Sequence, residues 1–149
     1  MVSIAIVRSE FNKEITSKML KYARAHAKKL GVKVCAEATV PGAFDIPLVV
    51  KNMLERKDID GVATLGAVIK GKTGHDELIA YQVANALTRL SLRYGKPVGL
   101  GVMGPGINWK QAKERTAQYA QQSVEAVLRV HDEIGRVNLR HAVPSKKIR

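Results

Sequence analysis

The sequence has one cysteine, two phenylalanines, one tryptophan and no long apolar run among its 149 residues. A lone Cys35 excludes an internal disulfide and any cysteine metal cluster. In "VKVCAEATV" it reads as a strand residue with no chemistry of its own. No segment approaches the roughly eighteen apolar residues of a membrane span, so no membrane association is expected. The opening "MVSIAIVRSE" meets charge too early for a secretory signal, and a cytoplasmic protein is expected. No His, Asp or Glu spacing fits a metal site. No Ser or Cys nucleophile arrangement stands out either.

Basic residues outnumber acidic ones, for a net charge of +12. The segment from 136 to 149, "RVNLRHAVPSKKIR", has no acid and supplies five of those charges through Arg136, Arg140, Lys146, Lys147 and Arg149. Aromatics are only 5% of the chain and none is interleaved with this run. A stacking platform for single-stranded nucleic acid is therefore not expected. The segment reads as a basic tail, mobile or in contact with a neighbouring subunit, behind a single domain over residues 1–135.

Two periodicities alternate along that domain. "VSIAIV" is a short apolar run and predicts a buried strand. In "NKEITSKMLKYARAHAKKLG", Ile15, Met19, Tyr22, Ala23, Ala27 and Leu30 recur at helical spacing, with Asn12 able to cap the start and Gly31 the end. "VKVCAEATV" predicts strand two, and "DIPLVVKNMLERK" a short helix capped by Asp45 with Pro47 in its first turn. "GVATLGAVI" is apolar throughout, as for a central parallel strand covered on both faces. "HDELIAYQVANALTRLSLRYG" predicts a helix closed by Gly95, "PVGLGVM" strand four, and "NWKQAKERTAQYAQQSVEAVLRVHDE" a last helix with Asn108 and Gln111 at capping-box spacing. Four strand–helix units in strict alternation predict an α/β fold: a three-layer, flavodoxin-like sandwich with a four-stranded parallel sheet flanked by helices. A barrel needs about 250 residues.

Open parallel sheets bind ligands beyond the carboxyl ends of their strands. Four loops follow the strands: "SEFN", "PGAFD", "KGKTGHD" and "GPGIN". Turn chemistry accounts for their glycines and prolines. It does not account for both phenylalanines, Phe11 and Phe44, lying in loops, which points to a site for a flat ring. From Gly66 the run "GAVIKGKT" fits the phosphate-loop pattern of nucleotide triphosphatases, with Gly71, Lys72 and Thr73 at its end. However, Ala67, Val68 and Ile69 continue the strand, so Gly66 lies inside it and cannot wrap a triphosphate. What remains is a tight basic turn at a helix N-terminus, suited to one phosphate group. His75 stands beside it as a candidate general acid–base. His26, His131 and His141 lie on helices or in the tail without partners and read as structural or solvated.

"SEFN-KEITSKML", "VPGAFDIP", "GAVIKGKTGHDE" and "QAKER" occur in the order and spacing of the lumazine synthases, which the chain resembles over roughly residues 2 to 130. The "GHDE" run is similar to the archaeal branch. The resemblance implies the penultimate step of riboflavin synthesis. There, 5-amino-6-ribitylamino-uracil and 3,4-dihydroxy-2-butanone 4-phosphate give 6,7-dimethyl-8-ribityllumazine, phosphate and water, with no metal or organic cofactor. By position, Phe11 would stack on the pyrimidine. Ala43, Phe44 and Asp45 would hold the ribityl chain and uracil, and Val68 and Ile69 would offer backbone contacts to the ring. Gly71, Lys72 and Thr73 would bind the phosphate, His75 would move protons, and Arg115 would reach the phosphate from a neighbouring subunit. The implied assembly is a pentamer or a sixty-subunit icosahedral shell.

Three positions depart from the family pattern. Leu100 stands where an aromatic often faces the pyrimidine. Ser123 stands where bacterial members carry a lysine, and Gly74 replaces a hydroxyl residue. Two alternatives stay open at this point. One is an archaeal-type riboflavin synthase, which shares the "VPG" turn; the other is a non-catalytic shell or nucleic-acid-binding protein on the same fold.

Overall fold

A computed structural model describes residues 1–148, without side-chain detail from residue 140 onwards. The elements alternate as expected, in the order β1 (Ser3–Ser9), α1 (Lys13–Leu30), β2 (Lys33–Val40), α2 (Ile46–Leu54), β3 (Gly61–Ile69), α3 (His75–Tyr94), β4 (Val98–Gly99), β5 (Val102–Ile107), α4 (Trp109–Glu114) and α5 (Thr116–Ile148). The sheet is parallel throughout, with β1 between β2 and β3, and with β4 and β5 both pairing with β3.

Strand alternation sorts the core into two layers. On one face, Ile4 and Ile6 of β1 meet Ile15, Met19, Ala23 and Ala27 of α1 and Val124 and Val127 of α5. On the other, Ala5 and Val7 meet Ile46, Val50 and Leu54 of α2 and Val83 and Leu87 of α3. Strand β3 is covered on both sides, which is why its sequence shows no polar alternation. Gly31 and Gly95 end α1 and α3 in the left-handed conformation, and Asn108 and Gln111 form the predicted capping box through bonds of 2.8 and 3.0 Å.

Several local expectations are corrected. The sheet has five strands, because "PVGLGVM" is interrupted at Leu100 and Gly101. Thr64 of β3 causes the break: its hydroxyl donates to the Gly99 carbonyl at 2.6 Å and accepts the Gly101 N–H at 3.2 Å. A side chain thus replaces a stretch of backbone ladder. Asn12 occupies the N-cap position of α1 at φ 63° but its side chain makes no cap bond; its amide donates to the Ala67 carbonyl at 2.8 Å. Asp45 does not cap α2; its carboxylate accepts the Gly42 N–H at 3.0 Å and closes the single 3-10 turn Ala43–Asp45.

The predicted last helix breaks at Arg115. There the Thr116 hydroxyl donates to the Ala112 carbonyl at 2.8 Å, a back-bond that competes for a helix acceptor and bends helices. Beyond Glu133 the helix continues to Ile148, through most of the basic segment. The side chains of Arg140, His141, Lys146 and Lys147, and all of Arg149, lie outside the described residues. His26 and His131 do have acidic neighbours: His26 lies 4.0 Å from Glu125, and His131 lies 3.8 Å from Asp60.

One ion pair ties α1 to the edge strand. Arg24 Nε donates to Glu37 at 2.7 Å, and this hydrogen bond holds the Glu37 carboxyl below the usual carboxylate range. A depressed carboxylate contributes stability above its unfolded pKa, and the contribution is lost as pH falls through the folded value. The arginine side chain is half exposed, so solvent screening keeps the effect small. Glu37→Gln is expected to cost less than about 1 kcal/mol at pH 7 and less still near pH 3, read from urea denaturation at both. An equal cost at the two pH values would show that packing, not charge, is responsible.

Candidate active site

The carboxyl ends of β1 and β3 open into a cleft of about 470 Å³. Phe11 and Asn12 come from the loop after β1, and Gly42, Ala43 and Phe44 from the turn after β2. Ala67, Val68 and Ile69 form the end of β3, and Gly71 and Thr73 the loop beyond it. His75, Asp76 and Ile79 come from the first turns of α3. Three loops distant in sequence therefore meet at one place, the point where the chain leaves β1 on one side of the sheet and β3 on the other.

Local structure explains how they are held. The Glu10 and Phe11 N–H groups donate to the Val40 and Pro41 carbonyls at 2.7 and 2.9 Å, extending the β1–β2 pairing into the loops. Phe11 is left 72% exposed and Phe44 64%, a large solvated aromatic surface on a chain with few aromatics. Apolar rings at a cleft mouth are well placed to cover a flat ligand. The N-terminus of α3, a 20-residue helix, faces the same cleft and presents unsatisfied N–H groups to an anion. The His75 N–H reaches the Thr73 hydroxyl at 3.4 Å, and the imidazole is exposed.

Gly66 lies within β3, donating its N–H to the Gly101 carbonyl at 3.1 Å, and a Cβ there would stand 2.8 Å from the Ser9 hydroxyl. The phosphate-loop reading therefore fails, as the strand pattern predicted.

Eight of the predicted site residues line the cleft: Phe11, Ala43, Phe44, Val68, Ile69, Gly71, Thr73 and His75. Four do not. The Asp45 carboxylate is turned onto Gly42, and Lys72 is exposed outside the lining. Leu100 is 51% exposed and borders a separate depression with Leu87 and Leu92. Arg115 is exposed at the α4–α5 break. Ser123 is buried, with its hydroxyl donating to the Thr64 carbonyl at 2.9 Å, so this position faces the core and no ligand. The sequence reading missed Asn12 and Asp76 as cleft residues. In sequence Asn12 reads as a helix cap, and Asp76 as one of the acids usual in a first helical turn.

Fold and cleft define a doubly wound α/β protein with a ligand-sized site at the switch point of its sheet. The family model of 6,7-dimethyl-8-ribityllumazine synthase matches residues 1–138. Proteins named 6,7-dimethyl-8-ribityllumazine synthase are similar over most of their length. That of Staphylothermus marinus is 52% identical over 130 residues, covering 87% of each chain. That of Sulfolobus acidocaldarius is 50% identical over 129 residues, covering 87% of this chain and 82% of its own. That of Methanopyrus kandleri is 48% identical over 129 residues, covering 87% and 91%. The chain belongs to the 6,7-dimethyl-8-ribityllumazine synthase family, a family of enzymes, and neither alternative reading is favoured.

Proposed function

We propose that the chain condenses 5-amino-6-ribitylamino-uracil with 3,4-dihydroxy-2-butanone 4-phosphate to 6,7-dimethyl-8-ribityllumazine, releasing phosphate and water. The observation that carries this reading is the convergence, in one cleft, of exposed rings, a strand end and the N-terminus of a long helix within a chain of this family. Phe11 stacks on the pyrimidine. The Val68 and Ile69 backbones pair with its edge, and the Ala43–Asp45 turn holds the ribityl chain. Gly71, Lys72, Thr73 and the α3 N-terminus take the phosphate. The amine of the pyrimidine attacks the ketone and expels water as a Schiff base forms. Loss of a proton from the neighbouring carbinol carbon then forms a double bond as phosphate departs with its bonding electrons; the enol becomes a ketone, and attack of the ribitylamino nitrogen on it closes the ring and expels a second water. His75 carries protons between these steps. Holding two reactants together in a cleft supplies much of the acceleration.

Arg115 and Leu100 lie away from the cleft of their own chain, which supports their acting on the cleft of a neighbouring copy. The family implies a homo-oligomer. We read it as a cytoplasmic pentamer, or a shell of twelve pentamers, with residues 136 to 149 as a subunit-contacting tail behind the domain.

The test is a spectroscopic assay of purified, assembled protein with both substrates, following lumazine absorbance against a protein-free control. Absence of acceleration would sink the reading. His75→Ala is expected to lower kcat about a hundredfold with a much smaller change in KM, as for a group acting mainly in proton transfer. An unchanged kcat would remove His75 from the mechanism.

A further inference from the structure

We propose that Asp76 is a positioning residue that holds His75 in register with the ring-binding end of β3; this rests on the catalytic reading above. Asp76 is the second residue of α3, is 6% exposed and borders the cleft. A first-turn acid ordinarily sits in solvent, where the helix dipole favours it. This one is buried and has a specific partner: its Oδ2 accepts the Gly106 N–H at 3.0 Å.

Gly106 lies in β5, in a local turn within the strand where its register with β3 shifts and the backbone presses tightly onto it. Gly104 has φ 113°, and a Cβ there would stand 2.5 Å from the Val68 carbonyl oxygen. The Lys70 N–H donates to the Ile107 carbonyl at 2.8 Å. The turn is thus fastened to Val68–Lys70 on one side and, through Asp76, to the start of α3 on the other. Among the described residues, this is the one side-chain hydrogen bond joining the start of α3 to that turn. His75 is exposed and has no comparable fixture, so its place relative to the ring depends on its neighbour.

Charge is not the reason for an acid at this position. A carboxylate beside a bound phosphate repels it. What the position uses is an acceptor that ties the buried end of Asp76 to the Gly106 N–H on the exposed stretch of β5. An asparagine keeps that acceptor and discards the charge. Asp76→Asn should therefore preserve the arrangement that Asp76→Ala destroys.

The experiment compares wild type, Asp76→Ala, Asp76→Asn and Asp76→Glu, each confirmed as assembled. Three readouts are taken: kcat, KM for the butanone phosphate, and amide hydrogen exchange over residues 100 to 108. Asp76→Ala is expected to lower kcat about ten- to thirtyfold, with KM changed less than about threefold, because misplacing a catalytic group by a fraction of an ångström falls on the chemical step. It should also speed exchange in the Gly106 segment. Asp76→Asn should stay within about threefold of wild type on every measure, the hydrogen-bond geometry being kept.

Equal losses in Asp76→Asn and Asp76→Ala would overturn the proposal by making the charge the active feature. An unchanged kcat in Asp76→Ala with faster exchange would overturn it as well, since the tether would then not govern His75. If Asp76→Ala does not assemble, Asp76→Glu takes its place: its displaced acceptor should lower kcat where Asp76→Asn does not. An inactive wild type would sink the catalytic reading alone. The exchange comparison would then judge the tether by itself, and unchanged exchange in Asp76→Ala would overturn it.

Discussion

Arg115→Ala is expected to lower kcat/KM for the butanone phosphate by roughly 150- to 900-fold, chiefly through KM, with fold and assembly intact. Loss of a guanidinium paired to a desolvated anion costs about 3–4 kcal/mol. Assembly should survive because Arg115 is exposed at a helix break. A change confined to the pyrimidine substrate would contradict the role.

A second experiment asks which chain's cleft the arginine serves. Arg115→Ala and His75→Ala subunits are unfolded together and reassembled. If a site takes His75 from one chain and Arg115 from the next, random mixing makes about a quarter of sites intact, one half times one half. Activity should rise to about that fraction of wild type from two nearly inactive parents. No recovery from a mixed assembly would place both groups on one chain, and the inter-subunit site would have to be abandoned.

Gly101→Ala should be among the most damaging single-methyl changes away from the cleft, costing about 3–5 kcal/mol of a total near 5–15. A Cβ at Gly101 would stand 2.1 Å from the Thr64 carbonyl oxygen and 2.8 Å from Ser123 Cβ. Neither can retreat. Thr64 lies in the doubly covered strand β3, its hydroxyl engaged by Gly99 and Gly101 and its carbonyl by Ser123. Ser123 is on α5, packed against the same strand. Gly135→Ala serves as the contrast: nothing lies within 4 Å of a Cβ there, and the position is inside α5. It should gain about 0.5–1 kcal/mol from helix propensity. Urea midpoints at one protein concentration would check both, and a Gly101→Ala midpoint within error of wild type would refute the packing argument.

Much of this molecule was legible in one dimension. An apolar run such as "GVATLGAVI" can only be a covered strand, and Ile15, Met19, Ala23 and Ala27 share one helix face whatever lies opposite. Both are statements about period and burial within a segment. The carboxyl edge of the sheet followed from the alternation, and with it the loops holding Phe11, Phe44 and His75. The P-loop pattern could be rejected because β-branched residues between its glycines belong to a strand. Family motifs then named the chemistry that such a cleft serves.

What the sequence could not disclose were bonds whose two ends lie far apart in the chain. Asn12 looked like a cap because caps are local, yet its amide crosses 55 residues to Ala67. Asp76 looked like an ordinary first-turn acid, yet it reaches 30 residues ahead to Gly106. Thr64 splits the predicted fourth strand because its hydroxyl meets Gly99 and Gly101 across the sheet, and Ser123, 59 residues away, closes the same knot. By itself the sequence determined the alternation of elements, the edge of the sheet that carries the site, and the residue types available there. Only the tertiary structure decided which of those residues share one cleft, which face the core, and which are left to serve another copy. Periodicity records the burial of a segment's own face, whereas a long-range hydrogen bond depends on where two segments come to rest against each other.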